Sequence, residues 1–542
     1  MPRLLSTILL LLLAAAPAAA GDSMDSYDRA RAALDRAVAA LGGPDALERS
    51  GDLSLSGAGT LDVGVEFQGL RPGEPTRLPF EERLVLDRPH DRVGFEHAFT
   101  RQDGNREHIR FVYQGEDEMI FTHLVDRFAY WGVNDDFAAA RRRRERMVPH
   151  ELLREALRQA SSLRHLGTAT IDGRRVEQVS FALGGADAGR LMTLHLDSET
   201  GLPRGFETLV ATQMLGDATV RWSYGDYRPV EGLGPYPSGY RILLEDEVYK
   251  DVRYEEIRPG AAAGSPMFKT PEGIEPPTPP ERPAPAAEPA PPPRPRVIET
   301  APGVYYVHGV RTGFGVMFVE MADHLVVFEA PSGYVMLDLV PATDFVAGST
   351  PGSVTEDLLR AIEETVPGKP VRAVAVSHFH GDHAGGLRPF VARGATILTT
   401  PAGVAAYRRM AERSHSMAPD ALSGREAEPR FEVFSGRHTV TDGSRTIELI
   451  EVDPNPHAEG AFVMYLPAEK ILYAHDFFQA TRLEGFPSEG HVPIMRFFVG
   501  WLDEQGLEPV KVFGAHGAGA GSPEHLQKIR ELSSPAAEGS TP

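Results

Sequence analysis

The sequence predicts an α+β protein with two domains, and three observations support this prediction. Short runs of alternating apolar and polar residues extend from about residue 53 to about residue 254, which indicates a mostly antiparallel sheet. A proline-rich segment then interrupts the chain. After this segment, apolar strands alternate with amphipathic helices, a pattern typical of layered α/β folds. A chain of 542 residues is also too long for one ordinary domain.

Residues 1–20 have the pattern of a secretory signal peptide. Arg3 provides a short positive region, residues 4–16 are apolar, and Ala18–Ala20 offers a small-residue cleavage site. The apolar stretch is shorter than the roughly 20 residues that a membrane-spanning helix needs. We therefore expect cleavage after Ala20, and a periplasmic or secreted mature chain without a transmembrane segment.

Residues 21–265 are predicted to form a β-rich domain with a leading helix. Apolar residues recur at helical spacing over residues 26–41, and a second helix is predicted at 151–161 within the alternating runs. The four consecutive arginines at 141–144 are interpreted as a solvated charge cluster. A helix followed by a meander of strands resembles the periplasmic half-barrel domains related to lipoprotein carriers. This resemblance implies contact with an envelope lipid or protein.

The boundary between the two domains is predicted from proline content. Almost half of the residues from Pro271 to Arg296 are proline, which favours an extended polyproline conformation. We therefore assign residues 266–296 to a linker. The second domain is predicted at 297–535, followed by a disordered tail at 536–542.

The composition excludes several classes of function. Lys and Arg number 55 against 76 Asp and Glu, a formal net charge of -21, which argues against non-specific nucleic-acid binding. The chain contains no cysteine, so disulfides, thiolate ligands and a cysteine nucleophile are excluded. A bound metal must therefore be held by His, Asp or Glu. A small-molecule substrate remains compatible with this composition.

The second domain begins with predicted strands in "GVYYVHG", "GVMFVEMADHLVVFEA" and "GYVMLDLV". Ser353 and Glu356 predict a capping box that starts a helix. The buried strand "VRAVAVS" follows. Thr400 and Pro401 then predict the start of another helix.

The motif "SHFHGDHAGG" follows that buried strand directly. His378 and His380 are two residues apart, so a continuing strand would point both rings to one side, as two ligands of one ion require. Asp382 and His383 lie further along the turn and can serve a second ion. Three more polar residues each follow a predicted strand, and these are His457, Asp476 and His516.

Together, these motifs make residues from about 301 to 532 resemble the metallo-β-lactamase superfamily. The resemblance implies an αβ/βα four-layer sandwich with metals at the edge between two sheets. The implied ligands of the first zinc are His378, His380 and His457. Those of the second zinc are Asp382, His383 and His516, and Asp476 would bridge the two ions. Asp382 would also be catalytic, by orienting a hydroxide and moving a proton.

The implied function is that of an exported, dinuclear zinc-dependent hydrolase. A metal-bridging hydroxide would attack an ester, lactone, thioester or amide, with β-lactam-like substrates included. Two Zn²⁺ per chain are implied, with iron or manganese as alternatives. The chain has no cysteine. The aspartate at position 476 resembles the residue that hydroxyacylglutathione hydrolases, lactonases and related phosphodiesterases have at this place more than the residue of many β-lactamases.

Two alternatives stay open at this point. One is a mononuclear iron enzyme similar to the persulfide dioxygenases, which would use fewer ligands. The other is an envelope lipid-binding protein with a vestigial metal domain. The substrate pocket is expected at residues 313–318, 408–430 and 486–495, with His491 as a candidate donor. His475 is expected to point away from the metals, because side chains alternate along a strand.

Overall fold

The structure is a computed structural model. It describes residues 23–65, 67–133, 136–184, 190–279, 294–311, 314–332, 352–425, 427–479, 486–517 and 519–532. The predicted signal peptide, the predicted tail, most of the proline-rich segment and the strand expected in "GYVMLDLV" lie outside these residues. Among the described residues, no helix has the length and apolar character needed to cross a membrane.

The helices of the N-terminal region, residues 23–279, pack beside a large sheet. They are α1 (Ser23–Ala40), α2 (Pro44–Arg49), α3 (Asp136–Glu145) and α4 (Pro149–Arg158). Helix α1 confirms the predicted leading helix, and its buried face consists of Ala30, Ala33, Leu34 and Ala37. Their spacing puts them on one side of the helix. Helix α4 begins two residues earlier than the predicted second helix and ends three residues earlier.

Strands β1 to β15 of this region are antiparallel to their neighbours. Their bounds are Asp52–Asp62, Arg77–Asp87, Arg92–Thr100, Arg106–Gln114, Glu118–His123, Phe128–Val133, Arg164–Ile171, Arg174–Ala182, Leu191–Asp197, Pro203–Thr212, Gly216–Tyr224, Tyr227–Val230, Gly234–Pro237, Gly239–Leu244 and Glu247–Pro259. Strands β12 and β13 pair separately. The other thirteen form one sheet in the order β6-β5-β4-β3-β2-β1-β15-β14-β11-β10-β9-β8-β7. The β-rich class predicted for this region is thus confirmed, whereas its resemblance to lipoprotein carriers stays a prediction.

The arginine run 141–144 lies on α3 and is not simply a solvated cluster. The side chain of Arg144 is almost fully buried, with its guanidinium 4.0 Å from the centroid of the Phe95 ring. Arg141 forms ion pairs with Asp91 and Glu145. The interpretation of the run as a solvated cluster is therefore wrong for Arg144. A guanidinium can pack on the face of an aromatic ring and remain charged. Arg144 can therefore be buried without losing its charge.

The C-terminal region contains two sheets that share one hydrophobic core. The first has seven strands, β16 to β22, arranged in chain order. Their bounds are Arg296–Ala301, Val304–Arg311, Phe314–Glu320, Leu325–Phe328, Val371–Ala375, Thr396–Thr399 and Arg430–Val433. The pairs from β19 to β22 are parallel, and the earlier pairs are antiparallel.

The second sheet has six strands, β23 to β28, also in chain order. Their bounds are Arg437–Thr441, Thr446–Glu451, Phe462–Leu466, Ile471–Tyr473, Lys511–Phe513 and Ala520–Gly521. The helices of this region are α5 (Ser353–Thr365), α6 (Gly381–Ala384), α7 (Leu387–Ala392), α8 (Pro401–Glu412), α9 (Val492–Gln505) and α10 (Pro523–Leu532). Helices α5 and α8 pack on the first sheet, and α10 packs on the second.

The start of α5 differs from the predicted capping box. Gly352 is the cap residue, Ser353 is already helical, and the cap makes no side-chain hydrogen bond. Glu356 forms an ion pair with Arg393 instead. The predicted start of α8 is confirmed, with Thr400 as cap and Pro401 as the first helical residue.

The two sheets meet at one edge. An isolated antiparallel bridge joins Phe314, at the start of β18, to His516, which follows β27. The backbone N–H of Gly315 donates to the carbonyl oxygen of Ala515 at 2.7 Å. This junction brings the carboxyl end of β27 beside the first sheet, where the ligand motif lies.

Candidate metal centre

The ligand motif lies at the carboxyl end of the parallel strand β20. His378 and His380 follow the strand, and the short helix α6 then carries Asp382 and His383. The backbone here is too crowded for side chains, because a Cβ at Gly381 would collide with the amide of Gln213 and one at Gly386 with the hydroxyl of Thr355. The glycines of the motif are therefore required by close packing.

The structure brings all seven predicted ligands together. They form two groups in which the possible ligand atoms lie within 4.8 Å of one another. The first group consists of His378, His380, His457 and Asp476. The second consists of Asp382, His383, Asp476 and His516. Asp476 belongs to both groups, as a bridging carboxylate would.

The two oxygens of Asp476 face different groups. Its Oδ2 lies 3.2 Å from Nε2 of His457 and 3.9 Å from Nε2 of His378. Its Oδ1 lies 3.0 Å from Nε2 of His383 and 3.2 Å from Nε2 of His516. Oδ2 of Asp382 completes the second group at 3.2 Å from Nε2 of His516.

Three polar atoms in these groups fit a bound cation. Nδ1 of His380 is buried and has no hydrogen-bond partner among the described residues, and Nε2 of His383 and Oδ1 of Asp476 face each other at 3.0 Å without hydrogen-bond geometry. Burying such atoms without a partner is costly, so a further group is needed between them. Imidazole nitrogens and carboxylate oxygens are suitable ligands for zinc and also for other transition metals. The residues present therefore fit a metal, without identifying it.

Electrostatics around the groups favour a cation as well. Burial would raise the pKa of Asp476, but the rings of His383 and His516 hold it well below its usual range. The same two rings hold the pKa of Asp382 well below its usual range against burial. Both carboxylates are thus ionised at neutral pH. Burial lowers the pKa of His380 to about 3, which leaves this imidazole neutral, as a ligand must be. Burial would also lower the pKa of His457 and of His516, but neighbouring carboxylates outweigh it and raise the pKa of each to about 9, so these two rings must lose a proton to bind a metal.

Two predicted ligands have outer contacts within the C-terminal region. Nδ1 of His378 lies 2.8 Å from the hydroxyl of Ser377. Nδ1 of His383 lies 3.4 Å from the buried carboxylate of Glu329. Because each contact uses Nδ1, Nε2 of each ring faces the centre of its group. Such contacts set the tautomer and orientation of metal-binding histidines.

Three other predicted ligands have outer contacts from the N-terminal region, which sequence reasoning missed. Nε2 of Gln68 donates to Oδ1 of Asp382 at 2.8 Å. Nε2 of His380 lies 2.9 Å from the carbonyl oxygen of Gly69. Nδ1 of His457 lies 2.8 Å from Oδ2 of Asp103. These partners are 311 to 354 residues from the ligands in sequence, and no motif marks them.

His475 and His491 belong to neither ligand group. Strand β26 ends at Tyr473, so strand alternation does not decide the direction of His475. Its buried ring lies 4.9 Å, between centroids, from that of His378. Nδ1 of His491 lies 2.9 Å from the hydroxyl of Ser488, at the start of α9.

Parts of the expected substrate pocket can be placed. The Phe314 ring packs edge-on against His383 and His516, with centroid distances of 5.2 Å. Residues 414–417, within the stretch expected to line the pocket, hydrogen-bond to Asp217 of the N-terminal region. The expected pocket residue Gly313 lies outside the described residues.

Residues 347–516 match the family model of the metallo-beta-lactamase superfamily. The matched range includes all seven predicted ligands but covers less than half of the chain, and the N-terminal region lies outside it. The C-terminal region thus has the metallo-beta-lactamase fold, and both the resemblance and the fold predicted for it are confirmed. The match of the C-terminal region to this superfamily supports a metal-dependent hydrolase. No curated protein matches the sequence.

Solved structures similar to the chain include three metallo-beta-lactamases. TMB-1 is 17% identical and aligns over 45% of this chain and 99% of its own, with a TM-score of 0.31. DIM-1, in a structure exposed to ceftazidime, is 16% identical over 45% of this chain and 100% of its own, with a TM-score of 0.31. The enzyme from Pontibacter korlensis is 18% identical over 44% of this chain and 99% of its own, with a TM-score of 0.30.

Proposed function

We propose that the protein is an exported hydrolase with two zinc ions, acting on a small ester, lactone, thioester or amide. One observation carries this proposal: two groups of four possible ligands share the single carboxylate of Asp476. A mononuclear enzyme would not need the second group. When bound, two zinc ions would supply a water of lowered pKa and a Lewis acid for the substrate.

Side chains of the protein would then position the reactants. Asp382 is ionised and is held by Gln68 through Oδ1, while Oδ2 faces His516. A carboxylate fixed in this way can orient a water molecule and accept its proton, so Asp382 is the proposed catalytic residue. The Phe314 ring next to His383 and His516 would limit access of bulk water.

Export is proposed from the sequence alone, on the charge, apolar stretch and small residues of positions 1–20. N-terminal sequencing of the protein secreted or released from the host envelope tests it. A chain that begins after Ala20 is the expected result. An uncleaved chain in the cytosol would contradict export without affecting the hydrolase proposal.

Metal analysis tests the dinuclear centre. Protein purified without added metal should contain about two zinc ions per chain by elemental mass spectrometry, in keeping with a two-metal site. Asp476→Ala should reduce this content, because Asp476 contributes to both groups. Hydrolysis of a panel of lactones, thioesters and β-lactams should stop after chelation and return with zinc. One iron per chain would favour the persulfide-dioxygenase alternative, and turnover by metal-free protein would contradict the proposal.

A further inference from the structure

The outer contacts of His457, His380 and Asp382 all come from two loops of the N-terminal region. The first loop, between β3 and β4, carries Asp103, and the second, between β1 and β2, carries Gln68 and Gly69. We infer that the N-terminal region is a structural part of the metal centre, in which Asp103 positions His457 for metal binding. This inference rests on the proposed metal-binding function of the seven ligands.

Hydrogen bonds within its own loop fix the Asp103 side chain independently of its contact with His457. Its Oδ1 accepts the backbone N–H of Asn105 at 2.9 Å, and its Oδ2 accepts the side-chain amide of Asn105 at 3.3 Å. The loop is closed by a hydrogen bond from the N–H of Arg101 to the carbonyl of Asn105 at 2.8 Å. The Asp103 side chain is fully buried. Its carboxylate therefore has a fixed direction, towards Nδ1 of His457.

A carboxylate is the group that this position requires. Nε2 of His457 faces His378 and Asp476, so the ring must carry its proton on Nδ1 to present a lone pair to a metal. An ionised carboxylate can only accept a hydrogen bond, and it therefore selects this tautomer. Carboxylate partners of this kind typically change metal affinity about 10- to 100-fold when they are removed.

The second loop forms hydrogen bonds with both loops that carry predicted ligands next to it. Besides the contacts of Gln68 and Gly69, the N–H of Gly381 donates to the carbonyl of Phe67 at 3.2 Å, and the N–H of Glu459 donates to that of Leu70 at 2.7 Å. Residues 67–70 thus bond to the loop of His380 and Asp382 and also to the loop of His457. The two ligand loops are tied to each other through this segment.

These contacts have a matched control at the same interface. Asp217 also joins the N-terminal region to the C-terminal region, through bonds of 2.7 to 3.0 Å to Ser414, Ser416 and Met417. These bonds reach none of the seven predicted ligands. If the loops serve only to dock the two regions, substitution of Asp103 and of Asp217 should affect zinc binding alike.

The test is zinc affinity of the full-length chain, measured by competition with a chromophoric chelator. Asp103→Asn keeps the size of the side chain, but its amide would face Nδ1 of His457 and favour the tautomer that cannot bind metal. We expect a 10- to 100-fold weaker zinc affinity for Asp103→Asn. Asp217→Asn should bind zinc as the wild type does. Far-UV circular dichroism should be the same for all three proteins.

The outcomes separate this inference from the proposed function. Wild-type affinity in Asp103→Asn, or an equal loss in Asp217→Asn, would overturn the inference while leaving the zinc site intact. A wild-type protein that binds no zinc would instead overturn the proposed function. Should Asp103→Asn not fold, Asp103→Ser takes its place with the same criteria for Asp103, and Gln68→Met, which removes only the donor to Asp382, tests the contribution of the second loop.

Discussion

The two regions of the molecule contribute to the candidate metal centre in different ways. The C-terminal region supplies every predicted ligand, and four of these occur within one short stretch of sequence. The N-terminal region supplies none of the seven predicted ligands, but it holds three of them through Gln68, Gly69 and Asp103. The comparison teaches that several of the residues that would touch the ions are local in sequence, whereas residues that orient them can come from loops more than 300 positions away.

The largest expected effect is on kcat, and it comes from a substitution in the C-terminal region. Asp382→Asn should lower kcat about 10²- to 10⁴-fold, because it removes the proposed proton acceptor. The group of His378, His380 and His457 is untouched, so at least its metal should remain in elemental analysis. Activity within a few-fold of the wild type would remove Asp382 from the proposed chemistry.

An intermediate effect is expected inside the N-terminal sheet. The fully buried Nζ of Lys250 lies 2.7 Å from Oε2 of Glu82, which also accepts from the hydroxyl of Tyr240. Breaking a buried ion pair on one side costs about 3–5 kcal/mol. Lys250→Met should therefore destabilise the protein by this order in urea denaturation. The double variant with Glu82→Gln should recover part of the loss.

The Lys250→Met variant also tests whether the N-terminal sheet as a whole affects the metal centre. Below the denaturation transition, Lys250→Met should bind zinc with wild-type affinity, since the Lys250–Glu82 pair joins strands β15 and β2 within the sheet. Weaker zinc binding in the folded variant would mean that the whole sheet, and not its two loops, sets the geometry of the centre.

The smallest expected effect is on the stability that Asp217 contributes at the contact between the N-terminal and C-terminal regions. Burial would raise the pKa of Asp217, but hydrogen bonds from Ser416, Met417 and Ser414 lower it to about 2. A lowered folded-state pKa contributes stability above the ordinary value of 3.8, and this stability is lost as the pH falls towards 2. In chelated protein, Asp217→Asn should therefore be less stable than the wild type at pH 5. The difference in melting temperature should shrink between pH 4 and pH 2, and a constant difference would contradict this role.

Much of the C-terminal region could be predicted from sequence, because its signals are local. The buried strand before "SHFHGDHAGG" and the apolar strands before His457, Asp476 and His516 identified all seven predicted ligands, and the structure brings them together. Whether each of them binds a metal stays a prediction. The antiparallel sheet of the N-terminal region could also be predicted as a class, from alternating residues.

The remaining features depend on contacts between distant segments. Arg144 is buried because the Phe95 ring of strand β3 lies under it. Asp103 resembles any aspartate in a tight turn, and only the docking of the two regions places it against His457. Local patterns contain no information on such pairings.

The bond between Asp103 and His457 also has a consequence for the order of assembly. It joins residues 354 positions apart, and the last predicted ligand, His516, comes later still. A chain emerging from the ribosome or from a translocation pore cannot close this bond until most of its length is available, and contacts of long sequence separation form slowly. The complete ligand set is thus assembled late, in the compartment where folding finishes. The metal that the proposed centre would acquire is then governed by the ions present there.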